Sequence, residues 1–269
     1  MPRAPIALTI SSSDSSGGSG VQADVKTFSA LGVYAATAIT AVVAQDTRRT
    51  HGVVAMEPGF VAQQVDSMLD DIGADVVKTG WLVNAGIVEA VAACLAGDRE
   101  ATVVVDPSIL AKDGSRLLDD AAVTVLRERL LPLAAVVTPN IAEAELLTGR
   151  RLTDWSDVRE AAAEIAGFGA KNVVIMGGRR EGRVVMDLLY DGKDYRDLAT
   201  DRVPTTSTMG TGAAFSAALA ATLAKGESLP HAVAAAKAYV TKALQNAYPV
   251  GQGSGPPHHF YRYWRPLLD

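Results

Sequence analysis

The sequence is poor in cysteine, lacks any long uninterrupted apolar run and carries no basic stripe. Each absence excludes something. A single cysteine, Cys94, among 269 residues cannot close an intramolecular disulfide, so a reducing compartment and a cytoplasmic location are expected. Its neighbours Val91, Ala92, Ala93 and Leu95 read as an apolar helix face, which suits a buried structural thiol rather than a reactive one. The short apolar start behind Met1 has neither the form of a secretory leader nor the length of a membrane span, so no membrane partner is expected. With 25 Lys and Arg against 30 Asp and Glu, the net charge is −5. A nucleic-acid surface needs concentrated positive charge, and none is present. No internal repeat, low-complexity tract or linker divides the chain. Two phosphate-binding patterns are also missing. No glycine-rich segment ends in the Gly-Lys-Ser/Thr of a Walker A loop, and none sits where a dinucleotide fingerprint requires it.

What is present is alternation. Hydrophobic residues make up 48% of the chain, enough to bury a large core. Short apolar runs over 6–10, 35–43, 76–79, 102–105, 135–138 and 172–176 read as strands. Amphipathic stretches over 20–31, 58–72, 85–95, 121–129 and 157–168 read as helices between them. Such alternation is the mark of βαβ units in a mainly parallel, buried sheet, hence an α/β fold. Segments 184–190 and 193–198 flank Asp191-Gly192 and read as an antiparallel hairpin. Two further helices are expected over 212–224 and 229–247, followed by an irregular Gly- and Pro-rich tail over 251–257. The small residues of 213–224 suit close packing, except in the first turn.

Two glycine-rich segments stand at helix starts. Residues 11–20, Ser-Ser-Ser-Asp-Ser-Ser-Gly-Gly-Ser-Gly, follow a strand and open a helix. Small residues allow close backbone approach to a ligand, but a plain connection explains the segment equally well. Gly210-Thr211-Gly212 precedes a long helix and favours an anion hole, since amides at a helix N-terminus converge on negative charge. A phosphoryl group in transfer is a natural occupant. Polar residues also follow the expected strands: Asp106 after 103–105, and Asn140 and Glu143 after 136–138. Ligands of open α/β sheets bind at such carboxyl ends. Glu143 could hold a water on Mg²⁺, or it could be the capping-box partner of an N-cap Asn140; the spacing fits both.

The motifs then become specific. Thr9-Ile10, Ser13-Asp14 and Ser16-Gly17-Gly18-Ser19-Gly20-Val21-Gln22-Ala23-Asp24 resemble the N-terminal signature of the hydroxymethylpyrimidine and phosphomethylpyrimidine kinases of thiamin synthesis. So do Lys26-Thr27-Phe28, Ala44-Gln45-Asp46-Thr47, Lys78-Thr79-Gly80, Val105-Asp106-Pro107, Thr138-Pro139-Asn140 and, near the end, Ala236-Lys237-Ala238-Tyr239. The resemblance covers 5–258. It implies a ribokinase-like three-layer α/β/α domain spanning 1–269, with about eight strands. It also implies ATP and Mg²⁺, a small-molecule pyrimidine substrate and a homodimer as the assembly it suggests. By the same resemblance Ser12, Asp24, Gln45 and Asp106 face the substrate, and Trp81, a departure from the pattern, is expected to line the same pocket. Asn140, Met176, Gly178 and Thr208 stand at the nucleotide, Glu143 at the metal, and Gly210, Thr211, Gly212 and Ala213 at the catalytic anion hole.

The departures bear on activity. The family pattern Asn-Thr-His-Gly-Thr-Gly-Cys reads Ser207-Thr208-Met209-Gly210-Thr211-Gly212-Ala213 here, so alanine stands at the position of the catalytic cysteine. Alanine cannot take a proton, and general-base help is worth roughly 10²–10⁴ in rate. The family's Lys-Gly-Gly reads Met176-Gly177-Gly178, removing a phosphate-compensating cation that Arg179 or Arg180 could replace only from another backbone position. The start Ala-Gly-Ser-Asp reads Ser11-Ser12-Ser13-Asp14, and Trp81 takes the place of a methionine. Three functions remain open at this point: an ATP-dependent kinase of the pyrimidine alcohol or, better, its monophosphate; a weakened homologue that binds pyrimidine or nucleotide; and an enzyme repurposed for another substrate or reaction.

Overall fold

The structure is a computed structural model and describes residues 3–97, 100–178 and 180–264. Its centre is a nine-stranded sheet in the order β3-β2-β1-β4-β5-β6-β7-β8-β9. The strands are β1 (Ile6–Asp14), β2 (Tyr34–Gln45), β3 (Thr50–Ala55), β4 (Val76–Thr79), β5 (Thr102–Val105), β6 (Val136–Val137), β7 (Val173–Met176), β8 (Val184–Tyr190) and β9 (Tyr195–Asp201). Pairings from β2 through β7 are parallel. Those of β3, β8 and β9 are antiparallel. The expected helices intervene wherever neighbours are parallel: α1 (Gly20–Ala30), α2 (Pro58–Asp71), α3 (Ala85–Leu95), α4 (Asp120–Val125), α5 (Ile141–Thr148) and α6 (Trp155–Gly167). Helices α7 (Thr211–Ala224) and α8 (Leu229–Gln245) follow the hairpin.

The period of two in the strands sorts side chains onto two faces. Leu8, Ile10, Val103, Val105, Val173 and Ile175 enter one core with α2 through α6. Their alternates Ala7, Val104 and Val174 enter the other with α1, α7 and α8. Alanine lines the α7 contact from Ala214 to Ala221, which lets that helix lie close over the middle of the sheet. Strand β1 pairs with β2 on one side and β4 on the other, so strand order reverses there. Ligands of such sheets usually bind beyond the carboxyl ends of the strands at a reversal of this kind, here β1 and β4.

Four local expectations are revised. Residues 11–14 continue β1 as buried strand, with a register shift between Ser11 and Ser13, and do not form a loop. A ninth strand, β3, is solvent-exposed along its whole length, so its sequence carries no core-facing alternation to betray it. Helix α4 ends at Val125, and the chain continues through a wide turn over Leu126–Leu130. Cys94 is only partly buried, on the α3 flank of the first core.

Candidate active site

The β1–α1 loop is organised by Asp14. Its Oδ1 accepts hydrogen bonds from the Ser16 amide and hydroxyl, at 2.9 and 2.7 Å. Its Oδ2 accepts from the Ser19 amide and hydroxyl, both at 2.8 Å. The Gly17 amide donates to the Asp14 carbonyl at 2.9 Å. Gly20, at φ 57°, sits where a Cβ would lie 2.2 Å from the carbonyl oxygen of buried Ser12, so only glycine fits this turn.

The second segment is different. Gly210 caps α7 in the left-handed region, at φ 72°, and offers no side chain to the helix amides. A Cβ there would fall 2.0 Å from the Gly18 carbonyl oxygen, so the β1–α1 loop packs directly on the start of α7. The Thr211 hydroxyl donates to the Thr208 carbonyl at 2.8 Å. The amides of Gly212 and Ala213, in the first turn, have no intrahelical acceptor. Ala213 is half-buried at this turn, and the Met176 methyl lies 3.7 Å from where a Gly212 Cβ would be. An uncapped, glycine-initiated helix end with a positive dipole is an anion seat.

Asp106 lies directly under α7. Its Oδ2 accepts from Ser216 Oγ at 2.9 Å, one turn beyond Ala213. Its Oδ1 accepts from the amide and hydroxyl of Ser108, which is held at φ 44°. Asn140 and Glu143 do form the capping box of α5. Glu143 does more than cap: its Oε2 accepts the Asn140 amide at 3.0 Å, and its Oε1 accepts the Ile109 amide at 3.1 Å. The Leu110 amide approaches the same Oε1 at 3.4 Å. The carboxylate therefore pins the 107–119 loop to α5. Both of the readings left open for Glu143 still stand, but its lone pairs are already well used. Gly177, beside Gly178, donates its amide to Asp187 Oδ1 at 2.9 Å. Asp187 Oδ2 in turn holds Lys237 Nζ at 2.7 Å in a buried pair.

The residues expected at the pyrimidine are less uniform. Asp24 is fully buried, and its Oδ2 accepts from Lys78 Nζ at 2.8 Å and Thr9 Oγ1 at 2.6 Å. Burial pushes its carboxyl above the usual carboxylate range, against the pull of Lys78 and Thr9. Its Oδ1 has no partner, nor has Thr79 Oγ1 nearby in sequence to Lys78. Lys78 is the member of this pair that the residue pattern alone left without a role. Gln45 ends β2, where its side-chain oxygen accepts from Thr50 Oγ1 at 2.7 Å and its backbone brackets Ser15 Oγ. Trp81 packs against the first core, and its indole N–H donates to the Leu117 carbonyl at 2.9 Å. Arg180 reaches away to the Leu152 carbonyl at 2.8 Å, and Arg179 lies outside the described residues.

A shallow, open surface depression lies beside Ser207, lined also by Pro204, Thr205, Tyr248 and Pro249. The geometry thus combines an uncapped helix end, a carboxylate under it and an adjoining depression. A family model described as phosphomethylpyrimidine kinase matches residues 14–258. The chain belongs to that family. The hydroxymethylpyrimidine/phosphomethylpyrimidine kinase of Bacillus subtilis is 42% identical, covering 94% of each chain. The thiamine biosynthesis bifunctional protein ThiED of Geobacter sulfurreducens is 46% identical over 96% of this chain, which spans 52% of that longer protein. Among solved structures, an ADP complex of Bacillus subtilis pyridoxal kinase superposes with a TM-score of 0.91 at 38% identity, covering 97% of this chain and 99% of the other. The ribokinase-like fold of these kinases is therefore the fold of this chain.

In this phosphomethylpyrimidine kinase family member, the two departures of greatest chemical weight converge. Ala213 stands in the first turn of α7, and Met176 presents a thioether to Gly212 where the pattern has an ammonium. The helix end is kept intact while its usual base and its usual cation are both absent. No group of three or more His, Cys, Asp or Glu side chains among the described residues forms a metal cage.

Proposed function

We propose that this chain works as a single kinase domain that transfers the γ-phosphoryl group of ATP to a pyrimidine monophosphate in preference to the pyrimidine alcohol. The observation that carries the preference is Ala213 at the first turn of an otherwise complete anion seat. An alcohol must lose its proton to a base as it attacks, and alanine supplies none. A phosphate monoester has a second pKa near ~6 and is already largely ionised at neutral pH. Positioning and charge stabilisation then suffice for transfer to it. In this reading the Gly212 and Ala213 amides hold the transferring group, and the depression beside Ser207 takes the base and ribose of the nucleotide. Asp106 and Glu143 would hold Mg²⁺ through its waters, and the ion, when bound, neutralises phosphate charge. Gln45 and Trp81 would border the acceptor ring.

A cytoplasmic location belongs to the same proposal, supported by the lone cysteine. No helix among the described residues is long and apolar enough to cross a membrane. A homodimer does too: Tyr34, Val42, Val53 and Val54 expose apolar surface on the β2–β3 ribbon. The test is initial rates with ATP and Mg²⁺ on hydroxymethylpyrimidine, its monophosphate and pyridoxal, with products identified by mass spectrometry. The monophosphate should turn over faster by ten-fold or more. Equal or faster turnover of either alcohol would overturn the preference and require another base.

A further inference from the structure

The 107–119 loop leaves β5 and arches over the strand ends before α4 begins. Contacts along its length hold its path. Glu143 Oε1 accepts the Ile109 amide near the loop's start, and the Trp81 indole N–H donates to the Leu117 carbonyl near its end. Between them, Lys112 extends its ammonium to the hydroxyls of Thr208 and Ser254. Thr208 is the residue whose carbonyl holds the Thr211 hydroxyl, so Lys112 stands on the segment that shapes the anion seat. Ser254 is itself fixed, its hydroxyl donating to the Thr206 carbonyl at 2.9 Å and its amide to the Thr47 carbonyl at 2.9 Å. An ammonium between two hydroxyls, beside an uncapped helix end, is the donor set of a phosphate clamp. Across the seat, Met176 contributes a methyl and no charge.

We propose that Lys112, delivered by the loop, supplies the phosphate-facing positive charge that Met176 does not. Thr208 and Ser254 park the ammonium, and an ATP polyphosphate exchanges with them for it. In the transfer step an acceptor oxygen forms a bond to the γ-phosphorus as the bond from that phosphorus to the bridging oxygen breaks, and ADP leaves with the electron pair. Lys112 keeps its proton throughout and balances the charge growing on the bridging oxygen. It is thus a positioning and charge-stabilising residue brought from the loop, in place of one fixed in the sheet. The inference rests on the kinase reading but not on which acceptor is preferred.

The test measures affinity for AMP-PCP with Mg²⁺, and separately for adenosine, by calorimetry. Wild type is compared with Lys112→Ala, Lys112→Arg and the double variant Lys112→Ala/Met176→Lys. Lys112 is exposed, so the fold should be retained, and unchanged melting temperatures check this. Lys112→Ala should lose ten-fold or more in AMP-PCP affinity and leave adenosine binding within two-fold. Lys112→Arg should keep part of the affinity, and Met176→Lys should restore most of it in the double variant. An AMP-PCP affinity unchanged in Lys112→Ala overturns the proposal. So does an equal loss for adenosine, which would mean that the lysine only holds the loop in place. Failure of wild type to bind AMP-PCP at all would instead defeat the kinase reading from which the proposal starts.

Discussion

At the scale of single residues, the site is defined by substitutions whose effects separate cleanly. Restoring a base with Ala213→Cys should raise turnover of the pyrimidine alcohol by about 10²-fold, within the usual worth of general-base help. Turnover of the monophosphate should change by less than about three-fold, because that acceptor has no proton to surrender. Steady-state rates on both acceptors, measured side by side, decide this; a parallel rise on both would show that the cysteine acts through packing. Lys78 and Asp24 make a second residue-scale case. The pair is fully buried at 2.8 Å, so removing one partner strands a charge. Lys78→Met should cost about 3–5 kcal/mol in urea unfolding. Lys78→Met combined with Asp24→Leu should recover most of that loss, since an apolar pair of similar volume replaces both charges. If the double variant is less stable than Lys78→Met, the pair is structurally favourable in its own right. The residue pattern showed Asp24 and Lys78 in separate motifs, 54 positions apart, and nothing local indicated that each answers the other's charge.

At the scale of elements, α7 and α5 depend on their first residues for opposite reasons. Helix α7 begins with a glycine because neither a side chain nor ordinary backbone angles fit there: Gly210 has φ 72° and meets the Gly18 carbonyl oxygen. Gly210→Ala should therefore push the β1–α1 loop away and abolish turnover, with a loss of about 1–3 kcal/mol in stability from backbone strain. Kinetics and a thermal melt on the same preparation test it; retained activity would mean that the two loops need not touch. Helix α5 begins with a full capping box, and its Glu143 also accepts amides from the 107–119 loop. Glu143→Gln turns one oxygen acceptor into a donor that faces donors. The expected cost is about 1–3 kcal/mol. Hydrogen exchange should also speed up at Ile109 and Leu110 more than within α6. The capping box was legible from the spacing of Asn140 and Glu143. The grip on Ile109 was not, because it joins residues 34 positions apart.

At the scale of the whole molecule, the C-terminal segment closes the second core and carries a pH dependence. The His258 amide donates to the Ala243 carbonyl at 2.9 Å, and the Tyr239 hydroxyl donates to the His259 carbonyl at 2.9 Å. The Thr27 hydroxyl donates to the Ala23 carbonyl at 2.8 Å and also lies 3.1 Å from His259 Nδ1. The Nε2 of the same ring is buried without a partner. Burial first, then the positive charge of Lys26, pulls the imidazole pKa down to about 4. A histidine in the unfolded chain titrates near ~6.5, so between those values the unfolded state binds more protons than the folded one. Stability is thus full above about pH 6.5 and falls as pH drops toward about 4, by about 3 kcal/mol from this group. Urea unfolding at pH 7 and at pH 4.5 should show that the pH-dependent loss is smaller in His259→Gln than in wild type. An identical loss in both would place the acid sensitivity elsewhere.

The sequence by itself determined the strand–helix alternation, the helix starts and the family. Apolar periodicity and turn residues act over a few positions, and several ordered motifs do not coincide by chance. It also marked Ala213 and Met176 as departures, because a missing proton acceptor or cation is a matter of residue type alone. Only the tertiary structure decided what the polar residues do. Asp14 consumes the amides of its own loop, and Asp24 faces Lys78. Glu143 holds a loop from another strand, and Lys112 lands on Thr208. Each outcome turns on which donor reaches which acceptor across tens of residues. Hydrogen bonds and ion pairs are settled within about 3–4 Å, a distance that chain folding sets and that no local pattern encodes.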